Sequence, residues 1–362
     1  MTTTSDTRAG EQGRSRPGRI IVSANPLNAE IPPDAWQHTI TPTDQFYVRS
    51  HFAAPQADAD SWSLQLGGAL EGAREVTLAE LRALPTRTLT ATMECAGNDR
   101  LGFAPLCEGE PWGSGAVSTG VWTGVALRDL LARVRLRPTA VELLFTGADA
   151  GAPPDSSGAL AFERSLPLAK ALDPDTLLAF ELNGAPLPHI HGGPLRLIVP
   201  GWYGMASVKW LTRITALEQP FAGYFQRERY VLVRPGEAER VPLGAMAVKS
   251  RITAPSEGAT LPMGSHTVSG VAWSGSGVAR VEVRVDHDGA WQAARLHDGP
   301  RYAWRRWEWT WEADEPGKHV LQVRATDEAG NTQPDVAAWN QFGYVNNAIQ
   351  SVVVYIGERE AA

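Results

Sequence analysis

Cysteine is scarce in this chain, which has two in 362 residues, Cys95 and Cys107. Such a pair could form one disulfide, but a chain of this length folds without one, and a lone pair does not identify an oxidising compartment. No Cys-x-x-Cys motif is present, and among the histidines only His189 and His191 lie close together, so a zinc site is disfavoured. The chain also lacks a P-loop and a dinucleotide-binding glycine motif, which excludes the corresponding nucleotide-dependent enzymes.

Long apolar runs and positive net charge are missing as well. No segment approaches the roughly 20 apolar residues that a membrane helix needs. The N-terminal residues are polar and contain neither an apolar signal core nor a twin arginine, so we expect a disordered tail over residues 1–24 and a cytoplasmic protein. A net charge of −7 argues against nucleic-acid binding, which normally shows as a basic surface.

The length and the pattern of the remaining chain predict two domains. Residues 25–245 mix strand and helix patterns, including a short helix over Thr77–Leu84 with Thr77 as its N-cap and Glu80 as its capping-box partner. From Met246 the chain changes to short alternating strands such as Val281–Val285, separated by turns. This pattern predicts an immunoglobulin-like sandwich over residues 246–362.

The stretch around Cys95 has the strongest chemical character. The preceding residues, Thr86–Thr92, alternate and are rich in threonine, which is typical of a strand. Gly97 and Asn98 tolerate positive φ, so we expect the strand to end at Cys95 and the chain to turn back. Arg100 would then lie within reach and favour the thiolate, the form that binds soft metals. The alternative is a buried, inert thiol, which is the commoner state of a free cysteine.

Cations predominate among the polar residues near glycine-rich turns, although the chain is acidic overall. Such a set suits an anionic ligand larger than one phosphate together with an anionic substrate. A serine hydrolase is a weaker alternative, because the His191-Gly192-Gly193 loop follows its candidate nucleophile segment instead of preceding it. The set comprises Arg49, His51, Cys95, Arg100, Asp149, His191, Arg196, Ser207, Lys209, Arg227, Arg229 and Tyr230.

Several motifs together identify a known family, since the chain resembles the sulfite oxidase family of molybdenum enzymes over nearly all residues beyond 25. The matching segments are Phe46–His51, Cys95-Ala96-Gly97-Asn98-x-Arg100, Trp112–Thr119, Leu182-Asn183-Gly184-x-Pro186-Leu187-Pro188, His191-Gly192-x-Pro194-x-Arg196 through Pro200-Gly201, Val208–Leu211 and Arg229-Tyr230. The resemblance implies the α+β class: a mixed α/β molybdopterin-binding domain of the sulfite oxidase type, then an all-β, immunoglobulin-like dimerisation domain.

The resemblance also implies residue roles. Cys95 would supply the thiolate ligand to molybdenum. Arg49, Arg100, Trp112 and Tyr230 would line the substrate pocket. The residues implied to hold the pterin and its phosphate are Tyr47, Val48, Arg49, Ser50, His51, Asp149, His191, Arg196, Ser207, Val208 and Lys209.

The activity implied by the resemblance is oxidation of sulfite to sulfate by oxygen-atom transfer. Electrons would pass to a separate acceptor, a cytochrome c or another redox partner, because no haem-binding segment is recognised. A homodimer through the second domain is implied as well. Two alternatives stay open: a reductase of nitrate or of an S- or N-oxide on the same scaffold, and a non-catalytic molybdopterin carrier.

Two positions depart from the family pattern. Sulfite-oxidising members carry a substrate arginine in a late segment that begins Trp-Asn, whereas Trp339–Asn347 contains none. A missing cation should weaken binding of a dianion, since one charge-assisted contact contributes about 1.5–3 kcal/mol. We therefore predict that Phe342→Arg lowers the KM for sulfite. Asp99 also stands where many relatives have arginine, and this departure likewise bears on sulfite as the substrate.

Overall fold

The computed structural model of the protein describes residues 18–357 except 154, 157 and 238, and within these ranges the chain is mostly strand with short helices. The strands before residue 246 are β1 (Ile20–Ala24), β2 (Leu27–Glu30), β3 (Ser63–Gly68), β4 (Leu70–Glu71), β5 (Arg74–Thr77), β6 (Thr86–Glu94), β7 (Val117–Ala126), β8 (Arg135–Leu136), β9 (Glu142–Gly151), β10 (Leu160–Pro167), β11 (Leu177–Leu182), β12 (Ala185–Pro186), β13 (Arg196–Ile198), β14 (Leu211–Leu217), β15 (Val231–Leu232) and β16 (Val241–Pro242).

The helices lie between these strands. The α-helices are α1 (Leu78–Arg82), α2 (Leu127–Leu131), α3 (Leu168–Ala171) and α4 (Tyr224–Arg227), and 3-10 turns cover Pro33–Gln37, Arg100–Gly102, His189–His191 and Gly204–Ala206. The predicted capping box of α1 is confirmed. The Thr77 hydroxyl accepts from the Glu80 N–H at 3.2 Å, and the Glu80 carboxylate accepts from the Thr77 N–H at 2.8 Å. Among the residues that the structure describes, no helix is both long and apolar enough to cross a membrane.

Two five-stranded sheets form the scaffold of the first part. One has the order β10-β9-β14-β3-β5, and β14 runs parallel to β3. The other has the order β12-β11-β7-β6 with β13 paired to β11. Their apolar faces share a core in which Trp122, Leu143 and Phe145 are fully buried, so the strand ends that carry the polar residues are held on a rigid base.

The second part is a sandwich of two sheets. Its strands are β17 (Lys249–Ala254), β18 (Ala259–Leu261), β19 (Gly264–Trp273), β20 (Val278–Val285), β21 (Gln292–Ala293), β22 (Arg295–Leu296), β23 (Arg305–Ala313), β24 (Gly317–Asp327) and β25 (Gln350–Ile356). The sheets have the orders β17-β19-β23-β22 and β18-β25-β24-β20-β21. Alternating apolar residues such as Val281, Val323 and Trp307 fill the space between them. The predicted α+β class, with an all-β sandwich after a mixed domain, is confirmed.

The N-terminal prediction needs a correction. Residues 1–17 lie outside the described residues, but Ile20–Ala24, predicted to end a disordered tail, form β1. The reason is that β2 offers backbone partners to β1 in an antiparallel pair. Arg19 is tied down as well, because its guanidinium donates to the Thr43 carbonyl at 2.9 Å. The boundary at residue 245 stays a prediction.

The two parts are in direct contact beside β6. The Thr92 N–H donates to the Tyr302 carbonyl at 2.8 Å, and the Trp304 N–H donates to the Thr92 hydroxyl at 2.6 Å. Further along, the Val345 N–H donates to the Ala96 carbonyl at 2.8 Å. The late segment of the chain is therefore folded back onto the turn that follows β6, where Cys95 lies.

Candidate active site

Cys95 directly follows β6, and backbone contacts fix the turn that it opens. Its N–H donates to the Ala116 carbonyl and its carbonyl accepts from the Asn98 N–H, both at 2.9 Å. The Asn98 side-chain oxygen accepts from the Ala116 N–H at 3.0 Å, and its amide donates to Glu94 at 3.0 Å. The strand and turn predicted around Cys95 are confirmed.

Two adjoining cavities meet at Cys95, and both are also lined by Arg49, His51 and Tyr230. We call them the first and the second cavity. The predicted site residues that line the first cavity are Tyr47, Val48, Arg49, Ser50, His51, Cys95, Asp149, His191, Arg196, Ser207, Lys209 and Tyr230. Those that line the second cavity are Arg49, His51, Cys95, Arg100, Trp112 and Tyr230.

Two predicted residues line neither cavity, and one of them, Arg227 of the cation set, is exposed at the end of α4. The other is Val208. Its side chain is fully buried, and its carbonyl accepts from the Leu197 N–H at 2.9 Å. The second cavity is also lined by Phe342, the position of the late segment chosen above for substitution, and by Tyr344, to which the sequence prediction assigned no role. Arg229, a member of the cation set, also lines the second cavity. Its position directly before Tyr230 in the sequence could have predicted this location.

Positive charge exceeds negative charge in the first cavity. Among the described residues that line it, Asp149 is the one carboxylate, and Arg49, Arg196 and Lys209 are the cations. The Lys209 ammonium donates to the Ser50 hydroxyl at 2.7 Å. Burial, and then the Arg196 charge, place the Lys209 pKa well below its ordinary value. An anion bound here would stabilise the charged form of Lys209.

Asp149 has an unsatisfied oxygen in this cavity. One carboxylate oxygen has no hydrogen-bond partner among the described residues. Burial raises the pKa of Asp149 to about 6, against the opposing charge of Lys209. A buried acceptor without a partner is costly, so this oxygen is suited to an N–H or O–H of a bound ligand.

The two histidines of the first cavity are neutral at physiological pH. Burial, followed by the charges of Arg19 and Arg196, lowers the pKa of His191 to about 3. Burial and the nearby Arg49 also place the pKa of His51 well below its ordinary value. Both rings can therefore form hydrogen bonds in the cavity without adding charge.

Tyr230 joins the two cavities and is held in one position. Its hydroxyl lies 2.6 Å from Nε2 of His51, and its backbone has the left-handed φ of 54°. Burial raises its pKa above the ordinary value, so the side chain keeps its proton and can donate it in a hydrogen bond. Since the φ of 54° is uncommon for a tyrosine, the surrounding structure must hold this residue in place.

Arg100 is fixed in the second cavity by the backbone of the late segment. Its Nε donates to the Phe342 carbonyl at 2.8 Å, its Nη1 donates to the Glu110 carbonyl, and the guanidinium lies 5.4 Å from the Tyr344 ring centroid. Space for it depends on Gly97, where a Cβ atom would lie 2.1 Å from Arg100 Nη2. The glycine that turns the chain after Cys95 thus also makes room for the arginine.

The thiol of Cys95 is less acidic than the sequence led us to expect. Burial raises its pKa, and the charges of Arg49 and Arg100 oppose this effect without overcoming it. The predicted direction of the arginine effect is correct, but desolvation outweighs it. A metal ion at the sulfur would supply the missing stabilisation, because a coordinating thiol is deprotonated outright.

These features fit a metal that is carried by an organic anion. Within the described residues, no group of three or more histidine, cysteine, aspartate or glutamate side chains is placed to hold a metal ion. The protein would therefore supply Cys95 as one soft ligand, and the other ligands would come with the cofactor. The cation excess and the unpaired Asp149 oxygen beside Cys95 suit the remainder of such a molecule.

Asp99 does not reduce the positive charge of the second cavity. It is absent from the residues that line this cavity. Its carboxylate pairs with Lys249 at 2.7 Å and with Arg251 at 3.9 Å, both in the second part of the chain. The aspartate therefore joins the two parts of the molecule and is neutralised outside the cavity.

Comparisons with protein families define the class of the protein. Residues 51–225 match the family model described as "Oxidoreductase molybdopterin binding domain". Residues 240–357 match "Mo-co oxidoreductase dimerisation domain". The protein is a molybdenum-dependent oxidoreductase. Cys95 and most residues of the first cavity lie in the part that the first model covers, and Phe46–Ser50 and Tyr230 line the cavity from outside it.

Individual relatives identify the family. The chain is 37% identical to the mitochondrial sulfite oxidase of Homo sapiens, over 98% of this chain and 68% of that protein. It is 35% identical to the sulfite oxidase of Gallus gallus, over 95% of this chain and 79% of that protein. The crystal structure of the sulfane dehydrogenase SoxCD from Paracoccus pantotrophus matches with a TM-score of 0.82 and 29% identity, covering 97% of this chain and 93% of that one. The chain belongs to the sulfite oxidase family, as the motifs predicted.

Proposed function

We propose that the protein oxidises sulfite to sulfate by oxygen-atom transfer at a molybdenum centre that is bound through molybdopterin. The observation that carries the proposal is the position of Cys95 between the two cavities. The first cavity is rich in cations, and the second is lined by Arg49, Arg100 and Tyr230. The human and chicken relatives named above as sulfite oxidases support sulfite as the substrate.

The residues of the first cavity would hold the cofactor. Arg196 and Lys209 would bind its anionic part, and the free oxygen of Asp149 would accept a hydrogen bond from the pterin. The sulfur of Cys95 would bind molybdenum. When bound, the molybdenum group supplies the two-electron redox chemistry and the oxygen-atom transfer that amino-acid side chains cannot provide.

The residues of the second cavity would hold and orient the substrate. Arg49 and Arg100 would bind the oxygen atoms of a dianion, each contact contributing about 1.5–3 kcal/mol. Tyr230 keeps its proton and would donate a hydrogen bond, while the neutral His51 ring fixes its hydroxyl at 2.6 Å. Trp112 is fully buried in the cavity wall, where its indole N–H has no partner among the described residues.

The proposal is tested by sulfite-dependent reduction of ferricyanide, normalised to the molybdenum content of the purified protein. We expect saturable turnover by the native protein and none by Cys95→Ser. Cys107→Ser is the matched control, because Cys107 donates to the Asn340 carbonyl at 3.2 Å and lines neither cavity. Turnover that persists in Cys95→Ser would refute the ligand assignment, and no turnover in molybdenum-replete native protein would refute the substrate.

A nitrate reductase is the second candidate. The chain is 35% identical to the nitrate reductase [NAD(P)H] of Hordeum vulgare, over 90% of this chain and 40% of that protein. The absence of an arginine at position 342 is compatible with a substrate of lower charge, such as nitrate. Reduction of nitrate by the same protein with a viologen as electron donor would favour this candidate. Turnover of any oxyanion would rule out a non-catalytic carrier.

The assembly and the redox partner complete the proposal. A homodimer through the second part of the chain is supported by the match of residues 240–357 to the dimerisation family model, and a monomeric mass in light scattering would contradict it. A separate electron acceptor, such as a cytochrome c, and the cytoplasmic location both stay predictions from the sequence.

A further inference from the structure

We propose that Arg229 is the third substrate-binding cation of the second cavity and sets its affinity for dianions, in place of the arginine absent from position 342. The inference rests on the proposed function. Arg229 follows α4 and lines the second cavity together with Arg49 and Arg100. Its guanidinium carbon lies 4.6 Å from the centroid of the Phe342 ring. The guanidinium of Arg229, which follows α4, thus packs against the ring face of Phe342, which belongs to the late segment.

An entering anion can displace the side chains that bind the Arg229 guanidinium. Its Nη2 contacts the Asp155 carboxylate at 2.8 Å, its Nη1 lies 3.9 Å from the Glu108 carboxylate, and its Nε donates to the Tyr224 hydroxyl at 3.0 Å. The Asp155 and Glu108 side chains are 51% and 61% exposed. Water can solvate such carboxylates when they separate from their cation, so these pairs are weak.

Arg100 provides the contrast within the same cavity. It is 6% exposed, and its Nε and Nη1 donate to the backbone carbonyls of Phe342 and Glu110, which are less free to move than exposed side chains. The Arg229 side chain is 24% exposed, and its guanidinium donates to the side chains of Tyr224 and Asp155. An entering dianion can therefore replace the carboxylates around Arg229, whereas Arg100 has a fixed position.

The charge of Arg229 reaches the centre of the site. Together with burial and with the charges of Arg49 and Lys209, it lowers the pKa of His51. His51 in turn lies 2.6 Å from the Tyr230 hydroxyl. The acids that line the second cavity are Glu108 and Glu110, and the Glu110 carboxylate already accepts from Ser23 and Asn28. Asp155 does not line the cavity but pairs with Arg229 at its side. Arg229 therefore lies next to the acids Glu108 and Asp155 and offsets their charge.

The position of Arg229 reverses the expectation for Phe342→Arg. A second guanidinium placed at 342 would occupy the space against which Arg229 packs, and the two like charges would repel each other. The single substitution should raise the KM for sulfite, not lower it. If Arg229 carries the role proposed here, the exchange Arg229→Gln with Phe342→Arg keeps one cation at this contact and restores binding.

The experiment compares Arg229→Gln, Arg229→Lys, Phe342→Arg and the double variant Arg229→Gln/Phe342→Arg with the native holoenzyme. Two readouts are measured: KM and kcat for sulfite, and the Kd of sulfate from isothermal titration calorimetry on oxidised protein. We expect Arg229→Gln to raise KM and Kd about 10- to 100-fold, the effect of losing one charge-assisted contact, with a smaller change in kcat. Arg229→Lys and the double variant should recover most of the loss.

Arg227→Gln is the matched control, because it removes the same charge from an exposed position two residues away that lines neither cavity. Unchanged KM and sulfate Kd in Arg229→Gln would overturn the proposal. So would a loss that the double variant fails to recover while its molybdenum content and thermal stability match those of the native protein. If the native protein lacks sulfite turnover, the proposed function fails, and the sulfate titrations still decide whether Arg229 binds oxyanions.

Discussion

Two lysines show how this molecule uses charge in two different regions. Lys249 lies where the two parts of the chain meet, and its ammonium contacts the carboxylates of Asp99 at 2.7 Å and Glu94 at 3.2 Å. Lys209 lies in the first cavity, where its ammonium donates to the neutral hydroxyl of Ser50 at 2.7 Å. The two side chains have the same chemistry but opposite surroundings.

The two pKa directions follow from these surroundings. Burial opposes the charge of Lys249, but Asp99 and Glu94 together raise its pKa above the ordinary value. Burial lowers the pKa of Lys209 far below that value, with Arg196 and Arg49 adding to the effect and Asp149 opposing it. The paired lysine stabilises the fold beside Cys95, whereas the unpaired cations are a cost of folding that an anionic cofactor offsets.

The largest expected effect on stability tests the paired lysine. Lys249→Met should lower the free energy of unfolding by about 3–5 kcal/mol, because it leaves Glu94 buried without its counter-ion. Urea denaturation of the cofactor-free protein measures the loss. The matched control is Lys318→Met at an exposed position of β24. A loss as small as that of the control would show that the Lys249 cluster has no structural role.

An intermediate effect is expected for the unpaired lysine. Lys209→Met should leave the stability of the cofactor-free protein unchanged or higher, since the desolvated cation that it removes is poorly compensated. Cofactor binding should weaken by about 1.5–3 kcal/mol, the contribution of one charge-assisted contact. Molybdenum and pterin contents of the purified protein measure the retention. Full cofactor content in this variant would contradict the role of Lys209 in cofactor binding.

The smallest effect is expected at the surface of the sandwich. His319 Nδ1 lies 3.0 Å from the Asp286 carboxylate. His319 is therefore paired with a carboxylate, as Lys249 is, but this carboxylate is more exposed to solvent. Burial opposes the charge of His319, yet the bond to Asp286 and the Glu315 carbonyl raise its pKa above the ordinary 6.5. Because the raised pKa belongs to the folded state, this stabilisation is complete below pH 6.5 and is lost as the pH rises through the folded-state pKa.

His319→Gln should therefore lower the free energy of unfolding by less than about 1 kcal/mol at pH 5.5 to 6, since solvent screens the pair. The difference from the native protein should disappear toward pH 8.5. Urea titrations at these pH values provide the measurement. A difference that grows with pH would show that the histidine is stabilised in its neutral form, which would contradict the pairing with Asp286.

The sequence by itself determined the features that depend on residues close together in the chain. The capping box of Thr77 and Glu80 and the end of β6 directly before Cys95 were predicted correctly, because helix caps and turns are set within a few residues. The alternating strands of the sandwich followed from side-chain periodicity. The family motifs also predicted residues of both cavities, which local patterns of helix and strand do not identify.

The tertiary structure decided the features that depend on distant residues. Lys249 neutralises Glu94 across 155 positions of sequence, and no local pattern links the two. Arg229 meets Phe342 in the second cavity, so the site contains a cation that the late segment itself does not supply. Burial raised the pKa of the Cys95 thiol against two nearby arginines. Desolvation and ion pairing depend on which surfaces meet, and these are fixed only when the whole chain has folded.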